Sequence, residues 1–185
     1  MTPKYLKFSY RNNINKLKLI NNLQKKIGFP LVVKPLNEGS SVNVFICNKN
    51  NILKTLTKLN EYGEVLLEKY IPGREIQVAI LENKVLGAIE LRPTRKFYDY
   101  QAKYNPKAKT EHIIPVEISK RKYQELTKIA LKAHKILNCR GVTRSDFRYY
   151  KNSFYLLETN TQPGMTSLSL VPVSYTHLRA HETDR

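Results

Sequence analysis

The spacing of apolar residues changes along the chain, and each change marks a predicted element. Ile14, Leu17, Ile20, Leu23 and Ile27 recur every three or four residues, which gathers them on one helix face. Gly28 suits the position just past a helix end and Pro30 forbids continuation, so a helix is predicted over residues 14–27. PLVVK then reads as a short buried strand, NEGSSVN as a polar Gly-Ser loop, and VFIC as a second strand. Ile52, Leu53, Leu56 and Leu59 predict a second amphipathic helix, and EVLLEKYI a strand. REIQVAILENKVLGAIEL predicts a hairpin turning at Glu82-Asn83-Lys84. Residues 93–115 hold no period and are rich in Lys and Tyr; a loop that long in a compact domain is functional or disordered. The clearest helix follows, with Tyr123, Leu126, Ile129, Ala130, Ala133, Ile136 and Leu137 on one stripe and Ser119 as its cap. GVTRSDFRYY and FYLLET predict two final strands.

Composition narrows the class. With 185 residues, 41% of them hydrophobic, the chain can build one ordinary domain or two small lobes. No apolar run approaches the ~20 residues of a membrane helix, and MTPKYLKFSYRNN lacks the apolar centre of a secretory signal. Cys47 and Cys139 have no metal-like spacing and fit a reducing cytoplasm. The formal charge of +17 admits a polyanion partner, but the lysines are scattered rather than clustered. Lys, Asn, Ile and Tyr, all abundant here, share A- and T-rich codons, so composition explains the charge better than nucleic acid does. The tail VSYTHLRAHETDR follows no period; it resembles a translated sequencing adapter, and residues 173–185 are expected to be non-native, the alternative being a genuine polar tail.

Four constellations carry chemistry. Arg144 and Asp146 share one face of the first final strand, and Glu158 and Asn160 one face of the second. A three-residue loop, Lys151-Asn152-Ser153, would set Asp146 opposite Glu158 and Arg144 opposite Asn160; a two-residue loop would put them on opposite faces. Two facing carboxylates repel unless a positive charge lies between them, and two carboxylates with an amide carbonyl suit magnesium. The alternative is a charged edge strand whose Arg144 neutralises the acids. NEGSSVN offers backbone N–H groups that can cradle phosphate, with Lys34 just before it, but it also reads as a plain turn. Glu68 and Glu75 flank a Pro-Gly turn in LLEKYIPGRE, as a pair of pocket acceptors or as surface acids. Lys103 and Tyr104 in FYDYQAKYNPKAK suit a loop that closes over a triphosphate, or a nucleic-acid contact. His112 and His134 have no partner pattern and read as structural or surface residues.

Taken in series, PLVVKPLNEGSSV, VLLEKYIPGREIQVAIL, FYDYQAKY, CRGVTRSDF and YLLETNTQPGMTSLSLVP resemble the ATP-grasp enzymes, and within them the D-alanine–D-alanine ligases, from about Gly28 to Pro172. The resemblance implies an α+β fold of two ATP-grasp lobes, residues 1–67 and 68–172, with ATP held between them. It implies that Lys34 contacts the ATP phosphates and that Glu38, Gly39, Ser40, Ser41 and Val42 form a flap over them. Glu68, with the backbone of Lys69 and Ile71, would read the adenine, and Glu75 the ribose. Lys103 would meet the γ-phosphate and Tyr104 would latch the long loop against Ser40. Asp146, Glu158 and Asn160 would hold Mg2+ (or Mn2+). Arg144 and the Gly164 N–H would stabilise an oxyanion, and Ser169 and Leu170 would bind the carboxylate of a second D-alanine.

The implied reaction is ATP-dependent joining of two D-alanines through an acyl phosphate, for peptidoglycan precursor synthesis in the cytoplasm, by a parent protein expected to be a homodimer. Related D-lactate or D-serine ligases, other ATP-grasp ligases and a basic RNA-binding module are the rivals. Two departures stand out. Asn43 replaces the glycine usual after EGSSV; Asn tolerates positive φ better than most residues, so the flap is expected to survive with less freedom. The family's first domain and its C-terminal helix have no counterpart here, so the chain is expected to be a fragment that keeps the ATP chemistry and is inactive alone.

Overall fold

A computed structural model describes residues 1–10, 15–39, 41–93, 110–165 and 171. The expectations for the tail 173–185 lie outside them. Among the described residues the chain divides into two compact units, the first drawn from residues 3–71 and the second from 1–2, 72–93 and 110–171. The resemblance places the division at 67/68; strand β4 (Glu64–Lys69) runs unbroken through that point, so Glu68 to Ile71 fall in the first unit.

In the first unit, β1 (Tyr5–Ser9), β2 (Leu31–Pro35), β3 (Phe45–Cys47) and β4 form an antiparallel sheet of order β1-β4-β2-β3. Helices α1 (Lys16–Lys26) and α2 (Ile52–Lys58) cover one face, where Leu23, Leu31, Val33, Cys47, Ile52, Leu56, Val65 and Leu67 make the core. Asn15 caps α1, its side chain accepting from the Lys18 N–H at 3.0 Å. At the other end the Ile27 and Gly28 N–H groups both donate to the Leu23 carbonyl, with Gly28 at φ +79°, a conformation that costs glycine little. Leu17, placed on the apolar stripe by its spacing, is 76% exposed. Each step of three residues lags a helical turn by about 60°, so Leu17 stands about 120° round the helix from buried Leu23.

In the second unit, β5 (Arg74–Leu81), β6 (Lys84–Pro93), β7 (Thr110–Ile113), β8 (Val142–Tyr150) and β9 (Ser153–Asn160) form an antiparallel sheet of order β7-β6-β5-β8-β9. Strand β7 lies within the segment that the sequence leaves as loop; its residues TEHI hold a single apolar side chain, Ile113, and pair with β6, so no apolar alternation announces it. Helix α3 (Lys120–Ile136) packs through Leu126 and Ala130 against Ile76, Val78, Ile80, Phe147 and Phe154. Ser119 caps it, accepting from the Lys122 N–H at 3.3 Å. Its buried stripe ends at His134, whose Nδ1 lies 2.8 Å from Thr143 Oγ1, while Ile136 and Leu137 are exposed. On the same face buried Glu90 accepts from Arg74 Nε at 2.9 Å and Arg92 Nε at 3.1 Å. Among the described residues no helix is long and apolar enough to cross a membrane.

Both hairpins of this sheet combine a two-residue turn with a bulge. Leu81 pairs with Lys84 around Glu82-Asn83, and the register then shifts between Ala79 and Ile80. Tyr150 pairs with Ser153 around Lys151-Asn152, both at positive φ as a type I′ turn requires, and the register shifts between Asp146 and Phe147. Gly73, at φ +115°, passes so close to β8 that an added Cβ would sit 2.4 Å from the Tyr149 carbonyl oxygen.

Candidate active site

In each unit the helices take one sheet face and the charged candidates take the other. In the second unit, alternation turns Ile76, Val78 and Phe147 toward α3, which leaves Glu75, Gln77, Arg144, Asp146 and Arg148 on the opposite face. Glu158 and Asn160 join them from β9: Asp146 pairs with Glu158 and Arg144 with Asn160. The pairing is the one a three-residue loop was expected to produce, but the cause differs. The turn has two residues, and a regular ladder from it would set Asp146 against Leu157. The bulge leaves Leu157 over and restores the alignment.

Arg144 grips Asp146 by both arms of its guanidinium, Nε to Oδ1 at 2.8 Å and Nη2 to Oδ2 at 2.9 Å. Asp146 is buried whereas its partner Glu158 is exposed. Asn160 Nδ2 donates to Glu158 Oε1 at 3.3 Å, which leaves the amide oxygen for another contact. The set is all oxygen, two carboxylates and an amide, the chemistry that suits a hard divalent cation. Among the described residues no three His, Cys, Asp or Glu side chains gather to hold a metal. Beside this set, Arg148 Nη2 lies 2.9 Å from Glu75 Oε2, and Arg148 Nη1 donates to the Gly73 carbonyl at 3.1 Å. Gly164 follows β9 in an exposed segment.

In the first unit, Lys34 and Glu68 project from β2 and β4 on the face away from the core, and Lys34 Nζ lies 2.7 Å from Glu68 Oε2. Lys69 turns its Nζ to the Gly28 and Phe29 carbonyls, at 3.3 and 2.7 Å, just past the end of α1. Its backbone N–H donates to the Lys4 carbonyl at 2.7 Å, so a ligand would meet Lys69 through its carbonyl. Ile71 is half-buried past the end of β4. Glu38 and Gly39 are exposed, and the Val42 N–H closes a turn onto the Gly39 carbonyl at 3.0 Å. Ser41 and Asn43 stand at φ +61° and +54°, so the position where Asn replaces Gly does use a left-handed backbone. Asn43 Nδ2 donates to Tyr62 Oη at 2.7 Å, a tie that glycine lacks.

Ser40, Lys103, Tyr104, Ser169 and Leu170 lie outside the described residues. Two residues of the second unit's charged face escape the sequence reading, Gln77 and Arg148. The signal for Gln77 was present: in EIQV it alternates with Ile76 and Val78 and shares Glu75's face.

Comparison with known proteins follows the same lines. The profile of the family described as D-ala D-ala ligase C-terminus matches residues 1–178. The chain is 62% identical over 172 residues to the D-alanine–D-alanine ligase of Pelagibacter ubique (strain HTCC1062), covering 93% of this chain and 56% of that protein. Its fold is similar to the crystal structure of D-alanine–D-alanine ligase from Bacillus anthracis, with a TM-score of 0.80 and 36% identity over 96% of this chain and 57% of that one. The B. anthracis protein complexed with ATP matches with a TM-score of 0.76 and 33% identity, over 96% of this chain and 56% of that one. The chain thus spans about half the length of the curated relatives it matches. The order of its segments, its α+β sheets and these matches agree, and the chain belongs to the family of D-alanine–D-alanine ligase C-terminal regions.

Proposed function

We propose that this chain supplies the ATP- and metal-handling part of a ligase that joins two D-alanines for cell-wall precursor synthesis in the cytoplasm. The observation that carries the reading is Asp146 facing Glu158 across β8 and β9, with Asn160 alongside and Arg144 locked onto Asp146. Facing carboxylates repel, and Arg144 neutralises only one of the two charges; a cation between them would balance the other. Mg2+ (or Mn2+) fits the all-oxygen set, and when bound it neutralises charge on the transferring phosphoryl group.

The remaining roles follow from what each residue can offer. Glu75, held by Arg148, presents a carboxylate suited to ribose hydroxyls. In the first unit, Glu68 and the Lys69 carbonyl are acceptors matched to the amino group of adenine, and Lys34 is a cation for phosphate oxygens. The turn from Glu38 through Ser40 to Val42 would lend phosphates the backbone N–H groups that its own bond from Val42 to the Gly39 carbonyl does not use. Lys103 meets the γ-phosphate and Tyr104 holds its loop against Ser40, excluding water from a reactive intermediate.

A carboxylate oxygen of the first D-alanine attacks the γ-phosphorus of ATP, and ADP leaves. The amine of the second D-alanine, held through its carboxylate at Ser169 and Leu170, attacks the acyl carbon. Arg144 and the Gly164 N–H take the oxyanion charge that develops there, and phosphate leaves, taking up the proton that the amine gives up.

Calorimetric titration of the 185-residue chain with ATP, with and without Mg2+, tests this reading. Magnesium-dependent binding that is lost in Asp146→Asn and Glu158→Gln is expected. A folded chain that binds no ATP in the presence of Mg2+, or a Glu158→Gln variant that binds as the parent does, would overturn it.

A further inference from the structure

The face that carries Asp146 also carries a buried amide with nothing to bond. Gln77 is 1% exposed, yet among the described residues neither its Nε2 nor its Oε1 has a hydrogen-bond partner. No other described side chain is left in that condition. Sequestering an unpaired primary amide opposes folding, and an apolar side chain of the same length would avoid that cost. An amide retained there points to a partner that arrives with a ligand.

Its position says which part of the ligand. Gln77 is the register partner of Asp146 on β8 and of Ile89 on β6, so Ile89, Gln77, Asp146 and Glu158 form one row across four strands. Along β5 it follows Glu75 by two residues, on the same face. Same-face neighbours along a strand are about 7 Å apart, and cross-strand neighbours about 5 Å. Gln77 therefore stands beside both the carboxylate assigned to the ribose and the carboxylate assigned to the cation. In a nucleotide, the group that joins ribose to a phosphate-bound cation is the phosphate chain.

We propose that Gln77 binds the phosphate chain of the nucleotide, its Nε2 donating to a non-bridging phosphate oxygen and its Oε1 accepting from a water in the same site. This deepens the function proposed above and rests on it. A phosphate oxygen accepts but cannot donate, and water can donate, so the two satisfy both ends of an amide as a single apolar or purely accepting ligand cannot. Gln77 adds no charge beside Asp146, where a further carboxylate would repel the phosphates and a lysine would compete for Asp146.

The test is Gln77→Met, which keeps the length of the side chain and removes both polar atoms. Three quantities are measured on the 185-residue chain: the Tm without ligand, the Kd for ATP with Mg2+ by calorimetry, and the Kd for adenosine by NMR titration. The expected result is an unchanged or higher Tm, a Kd for ATP raised about tenfold or more, and a Kd for adenosine within about twofold of the parent, because a single hydrogen bond to a charged oxygen is lost. Gln77→Glu, which also loses the donor and adds repulsion, is expected to weaken ATP further and to leave adenosine unchanged. A parent-like Kd for ATP in either variant overturns the inference while leaving the proposed function intact. Equal weakening of ATP and adenosine, or a Tm lowered by several degrees in Gln77→Met, also overturns it, because the amide would then serve the fold or the nucleoside. If the parent itself binds no ATP in the presence of Mg2+, both readings fail together.

Discussion

Asp146 stands directly opposite Glu158 even though the turn between their strands has only two residues, because the bulge at Leu157 makes up the missing count. A turn and a bulge thus act as two halves of one device. Neither alone places the two carboxylates on one face, and the cation site proposed above depends on that pairing.

Deleting Leu157 tests whether the bulge only counts residues or also aims Glu158. Without Leu157, a regular ladder from the same two-residue turn brings Glu158 opposite Asp146 directly. Magnesium-dependent ATP binding, measured by calorimetry, is expected to persist, with a stability loss of no more than about 1 kcal/mol. Loss of the magnesium dependence in a folded variant would show that the bulge sets the angle of Glu158 as well.

The two facing acids should differ in what they cost the fold. Asp146 is buried and held by both arms of Arg144, so Asp146→Asn is expected to lose about 1–3 kcal/mol of stability as well as the magnesium dependence of ATP binding. Glu158 is exposed, and Glu158→Gln should leave stability within about 0.5 kcal/mol while losing the same magnesium dependence. Denaturant melts beside ATP titrations separate the two effects. Equal destabilisation by both substitutions would contradict this division.

Gly73→Ala should destabilise the second unit. The added Cβ would meet the Tyr149 carbonyl oxygen at 2.4 Å, and φ of +115° is strained for any side chain. A loss of about 1–3 kcal/mol is expected, read as a lower Tm. Because the Gly73 carbonyl also accepts from Arg148, which holds Glu75, ATP binding should weaken in the fraction that remains folded.

Acid should weaken the fold partly through Glu90. Burial pushes its carboxyl up, but the hydrogen bonds from Arg74 and Arg92 outweigh that and hold it below the ordinary glutamate range. A carboxyl depressed in the folded state adds stability above its unfolded pKa and loses it as pH falls through the folded one. Between about pH 5 and pH 3 the Tm of the parent should therefore fall more steeply than that of Glu90→Gln. Parallel curves would show that the Arg74–Glu90–Arg92 cluster makes no acid-sensitive contribution.

The sequence by itself determined the elements with a strong period and some of their ends. Leu23, Leu56 and Leu126 are buried as their spacing requires, Ser119 caps α3, and Gly28 ends α1, whereas the Asn15 cap of α1 falls inside the helix that the spacing predicts. These features depend on neighbours within a turn or two of chain, which local pattern records. It also determined which residue types could serve a cation and a nucleotide, through the order of segments that marks the family. Tertiary structure decided what depends on pairing between distant residues. The unannounced edge strand β7, the exposure of Leu17, the salt bridge of Lys34 to Glu68 and the isolation of Gln77 are of this kind. Above all it decided the face on which Glu158 lies. A period-two pattern tells which residues of one strand share a face, but a single extra residue in a ladder exchanges the faces beyond it, and only the completed pairing of β8 with β9 shows where that residue was left out.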